Sequence, residues 1–294
     1  MGSRFAGLAH NLVKALLLPA LFILQGCSTG ARHGFVPGAM LPPPDSAISG
    51  SAFAGKIRNL PLQEREAAVV KEILSGNVPA FSREMSPVTM KQELDGQAYT
   101  LTFYATNDYL AVGSEQDYFY TPLTPGTAQL LADTLDCLLP TSKMVDLIYK
   151  AAALKLSPQP IAPSDTMTTV PVFWQHTDSI QSQFAARGQE RSQSTLVVGH
   201  KKDIIISNKI YSSDRSFDRV VIYGWHKAVD DPIQPVYNGH GARYADYSHG
   251  VRLISNKALL NGDTVRVQDV LKDENLAPLL SDEAVIEKPF YPRP

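Results

Sequence analysis

The last hundred residues constrain the fold most. Short runs rich in β-branched side chains recur there between turn residues: Thr195–Gly199 (TLVVG), Asp203–Ser207 (DIIIS), Arg219–Tyr223 (RVVIY), His249–Ser255 (HGVRLIS) and Thr264–Val267 (TVRV). Such runs read as strands. Asn261-Gly262-Asp263 is a turn before the last of them, and Val265–Asp273 and Pro278–Asp282 read as short helical pieces. Upstream the pattern turns helical. Leu62–Leu74 carries an apolar stripe through Ala68, Val69 and Ile73, with Pro61 as its start signal and Gly76 as its stop. Thr124-Pro125-Gly126 opens a helix through Leu138, and Pro140-Thr141-Ser142 opens another from Lys143 to Ala153, a helical hairpin. Between these helical regions, Pro87–Leu94 and Ala98–Tyr104 alternate around Asp95-Gly96, with Tyr109–Val112 as a third strand. The order predicts an α+β fold, with N-terminal helices and a hairpin packed on a mixed or antiparallel C-terminal sheet. Residues 58–294 read as one domain, with the Pro-rich stretch Ser157–Pro171 as a candidate internal boundary.

The first 57 residues do other work. Arg4 and Lys14 give a basic start without acids, and Ala15–Leu24 is an apolar run of ten, too short to span a bilayer. Leu24-Gln25-Gly26-Cys27 follows, which resembles the lipobox of bacterial lipoproteins. That resemblance implies cleavage before Cys27 and lipidation of its sulfur, leaving residues 1–26 as a signal peptide. Two or three acyl chains anchor a domain stably, where one is marginal. Ser28 after the cysteine favours the outer membrane by the sorting rule of that family. Residues 27–57, with Pro37, Pro42, Pro43 and Pro44 among several glycines, read as a flexible tether. The expected partner of Cys27 is the lipid bilayer, and the expected place is the cell envelope, facing the periplasm or the cell surface.

Composition narrows the function. Hydrophobic residues at 44% and charged residues at 19% exclude a wholly disordered chain. Formal net charge is −2; losing Arg4 and Lys14 with the signal leaves 25 basic against 29 acidic side chains, a net of −4. A nucleic-acid binder would show a basic excess, so none is expected. Of two cysteines, one is the lipid anchor, so Cys137 has no intrachain partner.

Histidine concentrates the candidate chemistry. His226, His240, His249 and Asp246 fall within 24 positions, interleaved with aromatics and glycines, and His200 ends another predicted strand. We take His200, His226, His240, Asp246 and His249 as candidate catalytic residues, and Trp225, Tyr244, Tyr247, Ser248 and Arg252 as candidate binding residues. Three chemistries could use them. Two His and one Asp with an open position would suit a divalent metal such as zinc, although HExxH is absent. A Cys–His pair would use Cys137 with His249, but Cys137 lies in an apolar Leu-rich run that reads as the buried end of a helix. General acid–base work on a glycan would use a carboxylate pair from Asp203, Asp230, Asp231 and Asp246.

Gly239-His240-Gly241 with Ser248-His249-Gly250-Val251-Arg252 resembles the L,D-transpeptidase catalytic motif over about 30 residues. That family places its nucleophilic cysteine after the second His-Gly; here Val251 stands there, so transpeptidation is not implied. Leu138–Pro292, with LPTSKMVDLIYKAA, GHKKDII, VVIYGWH and YADYSHGVRLI, resembles a group of uncharacterised secreted bacterial proteins. It implies a shared fold and a secreted setting, and no mechanism. The expectation is an envelope hydrolase acting on peptidoglycan or another envelope polymer through a His/Asp/Tyr-lined cleft. The alternative is a non-catalytic glycan- or peptide-binding lipoprotein.

Overall fold

The computed structural model describes residues 41–188, 193–214 and 216–292. The expected signal peptide, Cys27 and the first part of the expected tether lie outside the described residues. The chain runs α1 (Gly50–Ile57), α2 (Leu62–Leu74), α3 (Ala80–Arg83), β1 (Met85–Leu94), β2 (Gln97–Thr106), β3 (Ala111–Gly113) and β4 (Tyr118–Tyr120). It continues through α4 (Pro125–Thr134), β5 (Cys137–Leu138), α5 (Ser142–Ala151), β6 (Leu154–Lys155), α6 (Val170–Ala186), β7 (Val197–Val198) and β8 (Lys202–Ile204). The last elements are β9 (Ile222–Ala228), β10 (Asp231–Tyr237), β11 (His249–Gly250), β12 (Ile254–Ser255), β13 (Lys257–Leu260), β14 (Asp263–Arg266) and α7 (Val267–Lys272).

The fold is α+β. A six-stranded sheet runs β14-β13-β2-β12-β5, with β1 also paired to β2. The β1–β2 hairpin turns at Asp95-Gly96, where both residues adopt positive φ, so the Asp-Gly dipeptide does what its backbone freedom allows. A second sheet runs β10-β9-β8-β11, antiparallel except for the β8–β11 pair. This second sheet carries Trp225, His226 and His249 of the predicted site, and the others lie in the segments that flank its strands. Phe53, Phe103, Leu253 and Ile254, all at 0% exposure, belong to one core cluster that joins helices and strands from both ends of the chain.

The tether ends earlier than composition suggests. Gly50–Ile57 is helix, because Ser49 accepts the Ala52 N–H as an N-cap and Phe53 and Ile57 bury one helical turn apart. Gly50 is required where α1 meets the backbone of Tyr118, since a Cβ there would clash with it. The α4 helix stops at Thr134, and Asp136 takes φ 49°, so Cys137 enters a strand rather than ending a helix. Cys137–Leu138 pairs with β12, and the expected helical hairpin is therefore two helices separated by a strand. The Pro-rich stretch ends at a helix, with Pro171 in the first turn of α6; Val170, Phe173, Thr177, Ile180 and Phe184 form its buried stripe. That stretch packs on the domain: the Tyr247 hydroxyl both receives the Ile161 N–H and donates to the Ile161 carbonyl. Asp230 holds φ 60° as the turn residue, but Asp231-Pro232 already begins β10. Among the described residues no helix is long and apolar enough to cross a membrane.

Candidate functional site

Strand alternation decides which predicted residues meet. In the parallel β8–β11 pair His249 lies opposite Lys202 and Gly250 opposite Asp203. In the antiparallel β8–β9 pair Lys202 lies opposite Gly224 and Asp203 opposite Tyr223. Side chains of successive residues leave opposite faces, so Lys202 and Asp203 serve different neighbourhoods. The close approach at β11 depends on Gly250, where a Cβ would stand 2.5 Å from Tyr109 Cδ1 and 2.8 Å from Lys201 Cβ.

On the Lys202 side lies the cluster nearest solvent. Half-buried His240 stacks on Tyr244 with ring centres 4.0 Å apart and an interplanar angle of 22°. Tyr237, 41% exposed, meets His240 edge-on at 5.2 Å. The Tyr244 hydroxyl donates to Asp246 Oδ2 at 3.2 Å, while Asp246 Oδ1 accepts from the Ser248 N–H at 2.8 Å and the Ser248 hydroxyl at 2.5 Å. Burial opposes charge on Asp246, but His249, Lys202 and the Ser248 donors outweigh it and hold the carboxyl down to about 2. His249 lies behind, with Tyr244 at 5.8 Å between ring centres. Neither of its ring nitrogens has a hydrogen-bond partner among the described residues, and burial holds the imidazole down to about 4. Lys202 extends over the Trp225 ring at 5.0 Å, and burial lowers its ammonium as well.

The other two candidate histidines have separate partners. His200, fully buried, places Nε2 3.0 Å from Asp108 Oδ1, between the rings of Tyr109 and Tyr120. His226 places Nε2 3.0 Å from Asp146 Oδ1, stacks on Tyr149 at 4.6 Å and shares Asp146 with the Tyr223 hydroxyl. His200 and His226 thus face two different aspartates, neither of which is Asp246. The expected single cleft of His200, His226, His240, Asp246 and His249 is not formed: only His240, Asp246 and His249 come together, with Tyr244 and Ser248.

Arg252 is a strut rather than a ligand arm. It is 1% exposed, donates to the Thr106 carbonyl at 2.6 Å and the Val197 carbonyl at 2.7 Å, and lies over Tyr109. Its Nε is 3.8 Å from Asp203 Oδ1, and Asp203 Oδ2 accepts from the Tyr109 hydroxyl at 2.8 Å. Burial still pushes the Asp203 carboxyl up to about 6. Tyr247 and Trp225 are also internal, at 2% and 4% exposure. The Tyr247 carbonyl accepts from Lys201 Nζ at 2.6 Å, and that ammonium also meets His176 Nδ1 at 3.1 Å. Burial lowers Lys201 to about 7.

The partners Asp108, Asp146, His176, Lys201 and Lys202 were not singled out by the sequence as site residues. Asp108 and Asp146 lie 92 and 80 positions from the histidines they face, and the tertiary fold brings them together, Asp108 from the loop after β2 and Asp146 from α5. Cys137 is 3% exposed and burial pushes its thiol up to about 12, which removes it as a nucleophile. Among the described residues no three His, Cys, Asp or Glu side chains are placed to hold a metal ion, so the ligand set expected for zinc is not assembled. Asp230 of the glycan-acid candidates pairs with Lys150 at 3.2 Å on the surface. No family model, curated protein or solved structure matches the chain.

Proposed function

We propose that the protein is a lipid-anchored envelope protein that binds a glycan or peptide of the cell envelope at the Tyr237–His240–Tyr244 face. The observation that carries this is the His240–Tyr244 stack, half-buried, flanked by exposed Tyr237 and backed by the Asp246 carboxylate. Flat aromatic rings over a fixed acceptor suit a sugar ring or a peptide plane. The lipobox Leu24–Cys27 supports attachment to the bilayer, at the outer membrane by Ser28. Cosedimentation of the chain with purified peptidoglycan, and a screen of soluble glycans and muropeptides by calorimetry, test the binding. Failure of every envelope polymer to bind would reject it. Loss of the membrane fraction in Cys27→Ala tests the anchor.

A second reading, hydrolysis at the same face, is favoured by one observation. His249, Asp246 and Lys202 form a cluster of shifted ionisable groups behind His240, and such clusters are common where protons are transferred. Mass spectrometry of peptidoglycan fragments incubated with the protein separates the two: new fragments that vanish in His249→Ala mean hydrolysis.

A further inference from the structure

A cavity lies on the other side of the 240–244 loop. His240 and Tyr244 face the stack, whereas Ala242 and Arg243 line a cavity of about 550 Å³. The loop is pinned between the two: the His240 carbonyl accepts the Val220 N–H and the Asp218 carbonyl accepts the Ala242 N–H. Leu62, Ala67, Val70, Leu130, Ile210 and Tyr291 supply apolar wall, and Leu130 is 43% exposed, a large side chain that no neighbour covers fully. The volume falls in the range of small-ligand pockets, about 300–1,000 Å³.

Its charges are of both signs. Glu66, 7% exposed, caps the start of α4, accepting from the Thr124 N–H at 2.5 Å and from the hydroxyls of Thr124 and Thr127 at 2.7 and 2.6 Å. Those donors are neutral, and the cation that feels its charge is the neighbouring Arg65. Asp218 adds a second carboxylate at the wall. Arg219 is neutralised by Asp214 at 2.7 Å, while exposed Arg243 supplies a guanidinium at the rim.

We infer that this cavity binds a short apolar peptide with free termini, its carboxylate on Arg243 and its ammonium toward Glu66. A peptide carries both signs and apolar side chains. A polyphosphate would be repelled by the two carboxylates, a neutral glycan would leave the apolar wall unused, and a fatty acid would use one sign only. The inference is independent of the aromatic face.

The probe is the tetrapeptide Leu-Ala-Leu-Ala, titrated calorimetrically into the full chain, beside its C-terminal amide, its N-acetyl form and dodecanoate. Saturable binding is expected, weakened about tenfold by amidation. Arg243→Gln should erase the difference between free and amidated peptide. Ala67→Phe, at an exposed position of α2, should abolish binding with an unchanged melting curve, and Tyr244→Ala should leave it intact. No saturable binding, equal affinity for free and amidated forms, binding that survives Ala67→Phe, or binding of dodecanoate in preference to the peptide would each overturn the assignment. Loss of peptide binding in Tyr244→Ala would place the peptide on the aromatic face instead.

Discussion

Arg252→Met removes a buried cation from the centre of the fold, and the structure sets the size of the effect. Three things are lost together: donors to the carbonyls of Thr106 and Val197, the charge 3.8 Å from Asp203, and the contact over Tyr109. Breaking a buried ion pair by removing one partner costs about 3–5 kcal/mol, because the remaining charge stays buried. Unsatisfied buried carbonyls cost about 1–3 kcal/mol each, and part of that overlaps the first figure. We expect a loss of about 4 kcal/mol, a large share of the roughly 5–15 kcal/mol that stabilises a domain. Urea denaturation followed by tryptophan fluorescence measures it. Arg252→Lys should lose less, since one ammonium keeps the charge but cannot serve both carbonyls in the planar geometry of a guanidinium. Adding Asp203→Asn to Arg252→Met should recover part of the loss, because no uncompensated carboxylate remains. A loss below about 1 kcal/mol in Arg252→Met would refute its role as a strut, as would a double variant no more stable than the single one.

Other outcomes follow from the same geometry. His249 is held down to about 4 by burial, so its contribution is complete above the unfolded value near 6.5 and is lost as pH falls toward 4. Asp203, pushed up to about 6, acts in the opposite sense, contributing most below its unfolded value of 3.8 and losing that as pH rises through 6. Comparing acid unfolding of wild type and His249→Asn isolates the histidine: the fall between pH 6.5 and 4 should shrink by about 3 kcal/mol. An unchanged slope would mean that His249 is solvated. In a Cys27→Ser chain, Cys137 should resist a thiol-specific disulfide reagent until urea unfolds the protein; fast labelling of the native chain would contradict its burial. Gly250→Ala should cost about 1–3 kcal/mol by forcing Tyr109 and Lys201 away from β11, as read by the urea midpoint. No change would show that β8 and β11 separate freely.

Periodicity and turn chemistry carried much of the fold. The α2 helix begins and ends where Pro61 and Gly76 place it, and Asp95-Gly96 marks the hairpin because only small or polar residues take positive φ there readily. Local signals misled at Cys137, where Cys137–Leu138 within the apolar Leu135–Leu139 run is a buried edge strand, and apolar runs this short do not separate helix from strand. The α6 helix is not among the sequence expectations, because Pro171 there reads as the end of a linker, whereas it sits in the first helical turn ahead of the buried Phe173, Thr177, Ile180 and Phe184. At the site, His240, Tyr244, Asp246, Ser248 and His249 converge because they are close in sequence. The carboxylates that hold His200 and His226 come from Asp108 and Asp146, and no spacing rule connects positions so far apart. The cluster of histidines in sequence therefore brings His240 and His249 to Asp246, but does not assemble one cleft with His200 and His226.

We propose that ligand contact resides on the His240–Tyr244 face, while His200, His226 and Arg252 hold the fold. The most direct measurement is the affinity of the full chain for the tightest-binding envelope fragment, compared with Tyr244→Ala and His226→Gln, alongside melting temperatures. Loss of one stacked ring costs about 0.5–1.5 kcal/mol, so Tyr244→Ala should weaken binding up to about tenfold while the protein stays folded at the assay temperature, with a modest fall in melting from the lost His240 stack and Asp246 bond. His226→Gln should lower the melting temperature and leave the affinity of the folded protein intact. Full affinity in Tyr244→Ala, or loss of affinity in a folded His226→Gln protein, would contradict the account.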